Sequence, residues 1–253
     1  MRVAVLLLCA VPALAAWGQP GSLYIEDLTW QEVKAAIAGG KSTALYYAGS
    51  TEQNGPHMAL GKHNVIARYV AGRIAAELGN ALVYPVLPYA PTGAHMKFPG
   101  TVNLAERTYA VVAREVAESA IAAGFRHVCL MGDHGGGQQA LAQVARELDR
   151  EWAARGVRVH YIGDAYYKSH EQVADYLARH KLPAGEHAAI EDTSELMFLD
   201  ADGRWIRRDK LARGDGTNGV AGDPRQASAE LGRIFLDMKV RAAVAQIRTL
   251  VRN

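Results

Sequence analysis

A small set of carboxylates and imidazoles in this 253-residue chain stands directly after apolar runs, where side chains are free to do chemistry. Glu52 and Asn54 lie in the turn-rich stretch Gly49-Ser50-Thr51-Glu52-Gln53-Asn54-Gly55-Pro56-His57, and His63 follows just before a helical pattern. Beyond the next apolar run come Tyr89 and the segment His95-Met96-Lys97-Phe98-Pro99-Gly100-Thr101. A third run leads into Gly132-Asp133-His134-Gly135-Gly136-Gly137, and Glu186-His187-Ala188 and Asp192-Thr193-Ser194 stand further on. Glu, Asp and His supplied by several loops are the material of a catalytic metal site, in which protein ligands leave one position open for water. Each residue alone also has a plainer reading. Glu52 suits a solvated or capping carboxylate, and His57 and His95 suit satisfied structural histidines. His127 and His160 fall in or beside a strand pattern and read as structural, His170 and His180 as surface residues, and Lys62 as a solvated cation or as charge lining a metal pocket. The glycine triplet could cradle a phosphate at a helix N-terminus, but it lacks the Walker lysine and the G-x-G-x-x-G spacing.

For these residues to meet, the strands before them must lie side by side. Thr29-Trp30-Gln31-Glu32 has capping-box spacing and opens a helix ended by Gly39-Gly40. Thr43–Ala48 is rich in β-formers. Val65, Ile66, Tyr69, Val70, Ile74 and Ala75 give residues 64–78 a helical repeat, closed by Gly79. Ala81–Leu87 is strand-like, Glu106–Ala123 helical up to Gly124, Val128–Met131 a short apolar strand, Gln138–Ala154 helical and Val157–Ile162 strand-like. Ala227–Leu250 forms a long last helix with room for a break, and the irregular stretch from Ala165 to Asp223 suggests long loops. The alternation implies βαβ units and one α/β domain, a three-layer sandwich around a mostly parallel sheet. Ligands in such sheets sit beyond the carboxyl ends of the strands, where the residues above fall.

Composition narrows the partners. Twenty-eight basic and 26 acidic residues give a net charge of +2, too little to draw nucleic acid or an anionic membrane, so a small-molecule substrate is expected. Two cysteines, Cys9 and Cys129, exclude a disulfide scaffold. Met1-Arg2, the apolar run Val3–Val11 and Pro12-Ala13-Leu14-Ala15 have the form of a signal peptide with an A-x-A cleavage site. The run is shorter than the about 20 residues that a spanning helix needs. The expectation is an exported protein, periplasmic or secreted and free of the membrane, cleaved after Ala15 to leave residues 16–253 as the domain.

Taken in order, these segments resemble the creatininase (creatinine amidohydrolase) family over nearly the whole chain from Tyr24. The family's opening motif, roughly G-S-x-E-Q-H-G-P-H-L-P-L-x-T-D, stands against GSTEQNGPHMALGKH at 49–63. Its F-P-G-T is intact at Phe98–Thr101, its N-G-H-G-G-N appears as GDHGGG at Gly132–Gly137, and its H-A-x-x-x-E-T-S runs from His187 to Ser194. A late G-V-x-G-D-P is intact at Gly219–Pro224. The resemblance implies an amidohydrolase with two divalent metals, zinc or manganese, joined by a bridging aspartate, and a homo-oligomer, often a hexamer.

This chain departs from that ligand set. Glu52 and His134 are kept, but the opening-motif histidine is Asn54, the bridging aspartate is His63 and the E-T-S glutamate is Asp192. A carboxylate can bridge two cations, whereas a neutral imidazole offers one lone pair to one. Glu52, His63 and His134 therefore make a complete set for one ion plus water, zinc first, with manganese or iron as alternatives. Asp192 is expected as a short ligand or as acceptor of a proton from the metal-activated water. By resemblance His187 would donate a proton to the leaving nitrogen. Asn54, Tyr89 and His95 are the expected substrate contacts, with Asn54 donating to a substrate oxygen. The expectation is an exported one-metal amidohydrolase acting on non-peptide C–N bonds, cyclic ones included. Two histidines and a carboxylate also match the facial triad of non-haem iron oxygenases. A member of another class, a binding protein that kept the pocket and lost turnover, is the remaining alternative.

Overall fold

The computed structural model describes residues 21–251, so the signal-peptide expectation at residues 1–15 lies outside the described residues. Seven α-helices and four strands are described: α1 (Trp30–Ala38), β1 (Thr43–Ala48), α2 (Lys62–Leu78), β2 (Ala81–Val83), α3 (Glu106–Ala123), β3 (His127–Gly132), α4 (Gln138–Trp152), β4 (Arg158–Tyr161), α5 (Tyr167–Arg179), α6 (Ile190–Leu199) and α7 (Ala229–Val251). The capping box forms as its spacing implies: the Thr29 hydroxyl accepts from the Glu32 N–H, and the Glu32 carboxylate accepts from the Thr29 N–H at 2.7 Å.

The sheet is wholly parallel, in the order β2-β1-β3-β4. Strands buried on both faces must be apolar throughout rather than alternating. In β1, Ala44, Tyr46 and Ala48 pack with α1, α3 and α4 on one face, while Leu45 and Tyr47 pack with α2 and α7 on the other. β3 divides likewise, Val128 and Leu130 to the first face, Cys129 and Met131 to the second. This is the expected three-layer α/β sandwich, with Cys129 as a buried core thiol.

Three elements differ from their sequence reading. β2 ends at Val83 rather than at Leu87, because Pro85 has no N–H to give the ladder; only an isolated bridge pairs Leu87 with Ala48. The stretch 165–223 holds two helices, α5 and α6, where long loops were expected. Their polar residues hide a four-residue repeat: Ser169, Val173 and Leu177 are the buried face of α5. The last helix is continuous. Gly232 lies inside it because a Cβ there would run into the Ser194 carbonyl, so glycine lets α7 close on α6. No described helix is long and apolar enough to cross a membrane.

His127 and His160 are structural, their rings stacked at 5.7 Å between β3 and β4. Burial pushes His160 down to about 4, His127 and Arg158 adding to it against Asp149. The unfolded chain, with an ordinary histidine near 6.5, binds protons more readily, so stability is present above that pH and is lost as pH falls toward 4. His160→Phe should therefore flatten the loss of stability between about pH 6.5 and pH 4. Urea unfolding at a series of pH values measures this, and an unchanged slope would place the acid lability elsewhere.

Candidate metal centre

From β1 the chain passes through α2 to β2 on one side, then returns through α3 to β3 on the other side of β1. The crevice beyond the carboxyl ends of β1 and β3 is therefore the topological switch point of the sheet, the usual place for a ligand. Glu52 enters it after β1, Asp133 and His134 after β3, and His63 from the first turn of α2. Glu52 is fully buried. Its Oε1 accepts from His63 Nε2 at 2.9 Å, and its Oε2 stands 2.8 Å from His134 Nε2. The second pair is close but out of line, so Oε2 has no hydrogen-bond donor among the described residues. Burial raises the Glu52 pKa, but His134 and His63 outweigh it and hold the carboxyl well below its usual range.

A chain of buried charge stands behind this pair. His63 Nδ1 donates to Asp133 Oδ2 at 2.8 Å, Lys239 Nζ donates to Asp133 Oδ1 at 3.0 Å, and the same Nζ reaches Glu195 Oε2 at 3.0 Å. Burial and Lys62 push the His63 pKa down, yet its bonds to Asp133 and Glu52 outweigh them and the net shift is upward. Asp133 is held low against burial by Lys239 and His63, whereas burial pushes Glu195 up.

A second group of side chains adjoins the first. His95 and His187 stack with ring centroids 4.4 Å apart, and Gln53 Nε2 lies 3.0 Å from His95 Nδ1. His187 Nε2 lies 2.9 Å from Gln53 Nε2 and 3.0 Å from the Gln53 carbonyl oxygen, and its Nδ1 lies 4.0 Å from Glu52 Oε1. Burial first, then Lys62, pushes His187 down to about 4, so the ring is neutral at pH 7.

Other expected contacts are placed differently. Asp192 stands apart from the Glu52–His63–His134 donors: its Oδ1 takes the Lys62 ammonium at 2.7 Å and its Oδ2 the Ala188 N–H at 2.6 Å. Each of its oxygens thus already accepts one hydrogen bond. Lys62 is buried, which excludes the solvated of its two expected readings and leaves charge beside the site. Asn54 is buried too: one N–H of its Nδ2 donates to the Glu52 carbonyl oxygen, and its Oδ1 has no partner among the described residues. Tyr89 is exposed at the rim. His57 is structural, bonded to Thr193 Oγ1 at 2.9 Å, and His170 pairs with Glu191 at 2.8 Å rather than facing solvent alone. The glycine triplet serves packing: a Cβ on Gly136 would meet the Pro91 carbonyl, and Gly137 takes φ +87° under the Tyr109 ring to start α4.

Sequence reasoning passed over Asp133, Lys239, Glu195 and Gln53. One signal was present, since Asp133 stands where the family motif has glycine, beside a histidine. Lys239 left another, a lone cation on the apolar face of Leu236, Val240 and Ala243.

The donors fit one divalent cation. Glu52, His63 and His134 bring ligand atoms within 4.8 Å of one another, Glu52 Oε2 lacks a donor, and His63 has the carboxylate on its outer nitrogen that metal-ligating imidazoles usually have. His134 Nδ1 accepts from the Gly136 N–H at 2.9 Å, so an ion on Nε2 would require the ring proton to move to Nδ1 and that bond to give way, while His63, a donor at both nitrogens, would have to release a proton. Glu52, His95 and His187 also come within 4.8 Å, but they share the same carboxylate, and Gln53 occupies a nitrogen of each ring. Asp133→Asn, which still offers Lys239 an oxygen, should weaken metal affinity by about 10- to 100-fold by loosening His63. Competition with a chelating dye reads this, and unchanged affinity would remove Asp133 from the centre.

A family model described as creatininase, creatinine amidohydrolase, matches residues 26–247. The chain belongs to the creatininase family. Among curated relatives, the mycofactocin precursor peptide peptidase of Mycolicibacterium smegmatis is 31% identical over 208 residues, which cover 77% of this chain and 80% of that protein. The creatinine amidohydrolase of Pseudomonas putida is 30% identical over 118 residues, 45% of each chain. A solved structure of a mutant creatininase, "Zn-Zn type", superposes with a TM-score of 0.77 at 24% identity, covering 90% of this chain and 98% of that one. A structure named "Creatininase Mn" gives 0.75 at 24% identity over the same shares. At that identity the structural likeness concerns the fold. Family membership makes the chain an amidohydrolase-type hydrolase. Because its relatives include peptide peptidases, the family does not confine it to non-peptide bonds.

Proposed function

We propose that this chain is an exported hydrolase of amide C–N bonds that holds one divalent ion, zinc first, on Glu52, His63 and His134. The observation that carries the reading is the convergence of two imidazoles on the buried Glu52 carboxylate at 2.9 and 2.8 Å. A bound divalent ion supplies a water of lowered pKa and polarises the carbonyl under attack. Asp133 fixes the His63 ring. His187, neutral and with its Nδ1 4.0 Å from Glu52 Oε1, takes the proton of the attacking water and passes it to the leaving nitrogen, so one residue serves as base and then acid. Asp192 acts on Lys62 and on the backbone at Ala188 rather than on the water.

The substrate has room beside His187 and Asp192 in a cleft of about 350 Å³, lined also by Tyr166, Tyr167, His170 and Glu186. A larger groove of about 810 Å³ between α3 and α4 contains none of the clustered histidines and carboxylates. A small cyclic amide, or one end of a peptide, suits the smaller cleft.

Untagged protein should contain about one zinc per chain and hydrolyse some member of a panel of cyclic amides, ureides, formamides and short peptides, with activity lost on chelation and restored by zinc. Absence of both metal and turnover would favour the second reading, a metal-free binding protein. One observation supports that reading: His63 donates to a carboxylate from each nitrogen, so neither presents a lone pair.

A further inference from the structure

Lys62 is a buried charge beside the centre that the proposed chemistry leaves unused. It opens α2 one residue before His63, is 1% exposed and lies 2.7 Å from Asp192 Oδ1. Among the described residues Asp192 is its one hydrogen-bond partner, so two of its three N–H donors have no acceptor. Its charge bears on His63, His95 and His187 alike. The last two, with Glu52, form the second group close enough to hold an ion. Burying an ammonium is costly, and a single carboxylate is thin compensation unless the charge has a task there.

We propose that the Lys62 ammonium, held by Asp192, is a built-in cation in the second cation position of this centre, and that it limits the centre to one metal ion. The inference rests on the single-ion reading at Glu52, His63 and His134. Lys62 acts in two ways. Its charge repels a divalent ion at Glu52, His95 and His187. It also holds as its own counter-ion Asp192, a carboxylate whose charge bears on His187. The centre then carries one metal ion and one fixed organic cation.

Zinc titration of the mature chain, with a chelating dye as competitor, tests this without a substrate. Wild type and Lys62→Arg should each bind one equivalent. Lys62→Ala, which removes the charge and opens space, should bind two, and Lys62→Ala with His187→Ala should return to one. One equivalent in a folded Lys62→Ala variant overturns the inference and leaves the single-ion reading intact. Two equivalents in the wild type overturn it whatever the variants do. No zinc in the wild type removes the ion site itself, and the inference with it. Circular dichroism checks the fold, and Lys62→Thr is read in the same way if the alanine variant fails to fold.

Discussion

Glu52→Ala is expected to abolish zinc binding and to lower turnover by about a thousandfold or more, the rate equivalent of about 4 kcal/mol of lost transition-state stabilisation. Its carboxylate is where the two imidazoles converge, and its removal leaves two neutral ligands with no charge to balance a dication. Asp133 still holds His63 from behind, so the variant should fold. Glu52→Gln keeps the shape and removes the charge, which separates ligation from packing: it should lose the metal nearly as completely while keeping the melting temperature of the metal-free protein. Metal analysis after gel filtration, together with thermal melts, gives both readings. A Glu52→Ala protein that retained one equivalent of zinc would show that the ion sits elsewhere.

Lys239→Met should cost about 3–5 kcal/mol of stability, the usual result of removing one partner from a buried ion pair. Lys239 is 3% exposed, and its ammonium is shared at 3.0 Å by Asp133 and Glu195, which come from different elements. Methionine fills the same space but leaves Glu195 buried without a cation and Asp133 with His63 alone. Glu195 would then titrate still further above its unfolded value, so the folded variant binds more protons than the unfolded chain. Its deficit must therefore grow as pH rises through the carboxylate range and shrink in acid. Adding Glu195→Gln to Lys239→Met removes the stranded charge and should recover part of the loss. Urea unfolding at acid and neutral pH measures the deficit, and a cost under about 1 kcal/mol would mean that water reaches the triad.

Much of the fold was legible in the sequence because it rests on local rules. Thr43–Ala48 and Glu106–Ala123 occur with the bounds that their composition and stop residues imply, and Thr29 caps its helix as spaced. A strand buried on both faces has to be apolar along its length, and a helix closed by glycine has to stop there, so residue types alone decide such elements. α5 was misread because its four charged residues outnumber its three buried positions, and α6 because half of its six buried positions are polar, Thr193, Ser194 and Glu195, and hide its apolar face.

The sequence by itself also determined the donors. Glu52, His63, His134 and His187 stand at strand and helix ends, and a parallel sheet brings such ends together. What it could not show is which charge answers which. Lys239 meets Asp133 across 106 residues and Lys62 meets Asp192 across 130, and no period or spacing encodes contacts of that range. Only the closing of α7 on α6, and of α2 over the switch point, put those cations where they are. That packing turned Asp192 from an expected ligand into the counter-ion of Lys62, and Asp133 from a loop residue into the support of His63. Charge pairing in a desolvated crevice depends on a few ångströms of position, and only the tertiary structure sets those.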